Sequence, residues 1–151
     1  MRRLSLAALI VGLAFAAGGC GGDEEPPRSP LAESLAQLCD QARAKTEALG
    51  LPAEAGFKVI QPGAEIGLGL AAKIKKLRGT TPAEKEQIAS LAEYFRFYHN
   101  EVRAAARLFS AGHPEAYEIT LGRAKPSLDS AEKLAIRMGA PECAVRPFPD
   151  R

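Results

Sequence analysis

The sequence predicts an all-α domain, built as an up-down antiparallel bundle of about four helices. Three observations predict it. Alanine, the strongest helix former, supplies 28 of the 151 residues. Four stretches carry apolar residues at three- and four-residue steps, the period of one helix face. Only residues 57–61 look strand-like, and a single strand makes no sheet. The connections are mostly short, which favours antiparallel neighbours. A three-helix bundle with an irregular second segment is the alternative. No repeat stands out at solenoid periods.

The first helix begins at Ser29-Pro30, a good N-cap followed by a residue suited to the first helical position. Leu31, Leu35, Leu38, Cys39, Ala42, Thr46 and Leu49 form its stripe, and Gly50 stops it. Residues 51–63 read as a packed loop, because Pro52, Gly56, Pro62 and Gly63 punctuate the apolar Leu51, Phe57, Val59 and Ile60. The second helix is expected over about 64–77, with Ile66, Leu70, Ile74 and Leu77 as its stripe. Lys73, Lys75, Lys76 and Arg78 crowd its C-terminal end, where cations complement the helix dipole. Anionic lipid headgroups are a second partner for such a cluster.

Thr81-Pro82-Ala83-Glu84 is a capping box with Pro at the first helical position. Ile88, Leu91, Phe95, Tyr98, Val102, Ala105 and Phe109 then alternate steps of three and four, up to a stop at Gly112. Thirty residues give a helix of about 45 Å. The fourth helix starts at His113-Pro114, carries Tyr117, Leu121, Ala124, Leu128, Ala131, Ala135 and Met138, and ends at Gly139. Pro126 lies inside this pattern, so a kink is expected near 122–126 with the helix continuing beyond it.

The N-terminus reads as an address. Arg2 and Arg3 precede an apolar run of fourteen residues, 4–17, and the small residues Gly18 and Gly19 precede Cys20. This is the layout of a secretory signal, and the run is short for a membrane span. The stretch Ala17-Gly18-Gly19-Cys20 resembles the lipobox of bacterial lipoproteins, although Ala17 stands where that motif usually has Leu. The resemblance implies cleavage before Cys20 and a diacylglycerol on its sulfur. Anchoring by two or more acyl chains is stable. Residues 21–30 are polar and rich in Gly and Pro, the composition of a solvated tether. Ten extended residues reach roughly 33 Å. The expected organisation is therefore a signal peptide at 1–19, a flexible tether at 20–29, a bundle at 30–144 and a tail at 145–151.

Charge follows the same division. Lys and Arg number 20 against 18 Asp and Glu, and the excess of two is Arg2 and Arg3. The exported chain is neutral, which argues against nucleic acid as a partner.

Of the three cysteines, lipidation of Cys20 leaves Cys39 and Cys143 as an even pair in an oxidising compartment. In an antiparallel bundle the end of the fourth helix lies near the start of the first. Cys39 is about ten residues into that first helix, so the segment after Gly139 must fold back along it to form a bridge. The alternative is two free or buried thiols. The cysteine spacing, the Leu-Gly-Leu-Pro after the first helix and the final Pro-Glu-Cys-Ala-Val-Arg-Pro-Phe resemble a loose group of small helical lipoproteins of GC-rich bacteria. That resemblance bears on the fold and implies no activity.

No catalytic or metal motif assembles, so the chain is read as non-enzymatic and without a cofactor. His99 and His113 are the two histidines, and neither belongs to HExxH or a Glu-x-x-His pair. CxxCH is absent, so haem attachment is unsupported, although Met138 with a distant His can in principle ligate haem. His113 reads as a helix-start residue and His99 as a flank residue of the third helix. Gly67-Leu68-Gly69-Leu70-Ala71-Ala72 imitates a dinucleotide fingerprint but lacks its strand–helix context. Its plain reading is small residues that let helices pack closely. The third helix also carries a thinner second apolar face with Phe97, Glu101, Ala104 and Leu108. Either the 51–63 loop covers it, or it is a patch for a ligand or partner. The functional expectation is an exported lipoprotein held at the outer face of the cell membrane, or on the periplasmic side of a two-membrane envelope. It would bind a protein or small ligand there, with a purely structural spacer, or an enzyme or cofactor carrier that the sequence does not reveal, as the alternatives.

Overall fold

The computed structural model describes residues 27–50 and 59–144. The signal segment, Cys20, most of the tether, Phe57 and the tail after Ala144 lie outside the described residues. Among the described residues there are four helices and one short turn: α1 (Pro30–Glu47), α2 (Ile60–Ile74), α3 (Pro82–Ser110), α4 (Pro114–Arg137) and a 3-10 turn (Pro141–Ala144). The bundle is all-α with four helices, and the three-helix alternative falls away.

The caps form as the sequence dictates. Ser29 Oγ accepts from the Ala32 N–H at 3.1 Å. Thr81 Oγ1 accepts from the Glu84 N–H at 3.1 Å, while Glu84 Oε2 accepts from the Thr81 N–H at 3.1 Å and the Thr80 N–H at 2.6 Å. The hydrogen bonds from Thr80 hold the Glu84 carboxyl below its ordinary pKa. Gly139 takes φ +80°, and the Ala140 N–H reaches back to the Ala135 carbonyl at 3.0 Å, so the left-handed residue closes α4 in a Schellman-type stop.

α2 begins earlier than its sequence pattern predicts. Ile60 and Gln61 are helical rather than extended, and Pro62 and Gly63 lie in the first turn. The first turn has no intrahelical partner for its N–H groups, so Pro62 costs it no bond. The Gly63 N–H donates to the Val59 carbonyl at 2.9 Å. α4 continues through Pro126 as one helix.

α3 is the central element. It packs along α2 on one side and α4 on the other, and α1 meets α2 and the 3-10 turn. The predicted stripes face inward: Leu35 and Cys39, Leu70 and Ile74, Ile88, Leu91 and Phe95, and Ala131, Ala135 and Met138 share one buried cluster. Among the described residues, only Leu35, Ile74 and Leu91 are large side chains buried completely, and alanines fill much of the rest. Phe109 and Tyr117 meet edge to face at 5.7 Å where the α3–α4 hairpin turns.

Cys39 and Cys143 form a disulfide, with Cα atoms 5.1 Å apart across a sequence separation of 104. The expected fold-back is present. A Cβ on Gly139 would lie 3.3 Å from Ala32 Cβ, and Arg28 pairs with Glu142. The chain from Gly139 to Cys143 thus runs beside α1 from Ala32 to Cys39.

Candidate functional site

Helical spacing puts Phe95, His99, Val102 and Ala106 on one face of α3, at steps of four, three and four. Phe95, Val102 and Ala106 are buried. His99 lies at the edge of this face, half-buried as a flank residue of α3, with its ring turned onto Gly67 of α2. Its imidazole lies nearly parallel to Phe95, with centroids 6.3 Å apart, and meets Tyr98 edge-on at 4.9 Å.

The ring needs space, and α2 supplies it through one glycine. A Cβ at Gly67 would sit 2.1 Å from both Cε1 and Nε2 of His99, so no larger residue fits without moving the ring. At Gly69, two residues on, a Cβ meets nothing within 4 Å. The small residues of 67–72 do admit close packing, but Gly67 is where the approach occurs.

Around the ring lies a cleft of about 70 Å³. Ala42 and Thr46 of α1, Leu70 of α2, Leu128 and Glu132 of α4 and the Cys39–Cys143 bridge complete its walls. The lining is mostly apolar. Burial pushes His99 down to a pKa of about 4, so its imidazole is neutral at physiological pH. Its Nδ1 is shielded from solvent and has no hydrogen-bond partner. A neutral imidazole can donate or accept one bond at that nitrogen, depending on its tautomer. Glu142, at the edge of the cleft, is held below its ordinary pKa by the hydrogen bond from Arg28.

Among the described residues, no three His, Cys, Asp or Glu side chains converge as a metal site. None of the described helices is long and apolar enough to cross a membrane. His113 caps the start of α4 without a side-chain capping bond and is exposed, remote from His99. Of the second-face residues on α3, Phe97 is 46% exposed, Ala104 is exposed, and Glu101 and Leu108 are half-buried. Val59 is buried and Ile60 half-buried at the start of α2, whereas Phe57 lies outside the described residues.

Comparison with protein families, curated proteins and solved structures finds no match to this chain.

Proposed function

We propose that the protein is an exported lipoprotein, anchored through Cys20, whose helical domain is a non-enzymatic binding module of the cell envelope. The Cys39–Cys143 bridge supports export, since disulfides persist in oxidising compartments, and it leaves Cys20 as the unmatched cysteine. The binding half of the reading rests on one observation, the cleft at His99. A spacer has no need of an open, mostly apolar seam between helices beside a neutral imidazole.

The cleft's size limits its occupant. A cavity that holds benzene is about 150 Å³, and this one is about 70 Å³. It accommodates the end of a ligand: a few apolar atoms carrying one hydrogen-bonding group for Nδ1.

The test is purification of the native protein from membranes in mild detergent, with mass spectrometry of whatever travels with it. A bound molecule that is lost when Thr46→Leu fills the cleft supports the module. A clean preparation, unaffected by Thr46→Leu, assigns the domain a spacer role. A Cys20→Ser protein that stays in the membrane fraction as fully as wild type overturns the anchor.

A further inference from the structure

We infer that the chain closes its own cleft: Val145 and Phe148, in the tail after Ala144, dock in the seam between α1 and α4, and a ligand enters by displacing them. The displacement rests on the binding reading above; the docking does not.

The seam has room for a chain segment. α1 and α4 make little direct contact, and the 3-10 turn packs against both. From Gly139 beside Ala32 to Cys143 bonded to Cys39, the returning chain fills the gap between them. Beyond Cys143 the same gap is open and becomes the cleft, with Ala42 and Thr46 on the α1 side and Leu128 and Glu132 on the α4 side. Ala42 and Leu128 pack against the core yet are only half-buried, so apolar surface remains for an occupant.

The course of the chain supplies that occupant. It passes α1 from Ala32 to Cys39, in the direction of α1 itself, so the same course leads next to Ala42 and Thr46. From Cys39 to Thr46 α1 rises about 10 Å, and the chain from Cys143 to Phe148 spans about 15 Å in polyproline geometry. The tail is long enough to follow the seam to its end.

Its sequence suits the place. Pro147 and Pro149 fix their own φ and disfavour the helical region at Arg146 and Phe148, which precede them. They also remove two N–H donors that an apolar seam would leave without partners. At three residues per turn, Val145 and Phe148 fall on one face, about 9 Å apart. A segment already extended loses little entropy on docking. At about 70 Å³ the cleft takes an isopropyl group such as that of Val145 and is too small for a whole aromatic ring, so Phe148 covers its mouth.

The test uses the native lipidated protein in detergent micelles, with isotope-labelled methyl groups. Nuclear Overhauser contacts are expected from the Val145 methyls to Ala42, and from the Phe148 ring to Thr46 and Leu128. Val145→Asp with Phe148→Asp is expected to abolish them. It is also expected to let xenon, which enters apolar cavities, shift the Val102 and Leu128 signals at severalfold lower pressure. Unchanged Leu91 signals show that the core of the variant is intact, and the wild-type contacts decide the docking if it is not. Any molecule that travels with the wild type through membrane purification is expected to be retained more fully by the variant. An absence of contacts from both residues, or equal xenon affinity in the two proteins, overturns the docking. So do contacts from Phe57 in their place, or contacts that arise only between differently labelled chains, which give the seam to the 51–63 loop or to a second copy. Contacts that persist while neither protein carries a bound molecule keep the docking and remove the binding module.

Discussion

His99 and Gly67 depend on each other, and both can be probed through stability. Gly67→Ala puts a methyl group 2.1 Å from the ring, so the ring or α2 must move, at a cost of about 1–3 kcal/mol. Gly69→Ala meets no neighbour and gains helix propensity of up to about 1 kcal/mol. Urea unfolding of the two variants is therefore expected to shift in opposite directions, although the sites are two residues apart. A Gly67→Ala protein as stable as Gly69→Ala would show that the ring is not held there. The His99 pKa adds a pH dependence. Its native value of about 4 lies below the unfolded value of about 6.5. Between these values the unfolded chain binds more protons, so stability is fully present above the upper value. It falls as pH drops toward the lower one, by at most about 3 kcal/mol. His99→Phe removes that slope while leaving the carboxylate contributions in place. Parallel stability curves for wild type and variant between those two pH values would contradict the buried neutral imidazole.

At the scale of elements, the clearest local signal is also a measurable one. Thr81→Ala leaves the Glu84 N–H without its side-chain acceptor and breaks the reciprocal box. It is expected to cost about 1 kcal/mol in thermal unfolding, and Thr81→Ser is expected to recover most of it. The boundaries of α1, α3 and α4 were legible because each combines a start signal, a stripe and a glycine stop within one contiguous segment. α2 was less so. Its first turn is written with Pro62 and Gly63, which act as breakers in a helix interior and are tolerated only because a first turn makes no demand on its N–H groups. The site was partly legible. The step from Phe95 to His99 to Val102 puts His99 at the edge of the buried face, and Gly67 marks a close approach. Nothing local says that these two meet across 32 positions, because the meeting depends on how α2 and α3 align. The Cys39–Cys143 pairing was accessible for the opposite reason: antiparallel topology brings the end of the chain back to α1, and setting Cys20 aside as the expected lipidation site leaves one pair, before any side chain is placed.

For the whole molecule, the question is what holds α1. Its neighbours are chiefly α2 and the 3-10 turn, and that turn is four residues long. The core it joins is rich in alanine, which allows close packing but buries little apolar area per residue. The bridge closes a loop of about a hundred residues, which stabilises the fold by about 4–5 kcal/mol in the chain-entropy account, a large share of the 5–15 kcal/mol typical of a domain. Reduction is therefore expected to act unevenly. The α3–α4 hairpin keeps its long packed interface, while α1 loses its covalent link to the end of α4. Hydrogen exchange with and without reductant tests this: α1 amides are expected to lose protection first, with Leu91 and Phe95 of α3 still slow. Uniform loss across all four helices would mean that the bridge supports one cooperative unit and that α1 is no weaker than the rest. The outcome bears on the cleft as well. Ala42 and Thr46 of α1 and the bridge itself form one wall beside His99, so an α1 that loosens on reduction opens the site. Under the proposed function, the oxidising envelope then maintains the binding site as well as the fold.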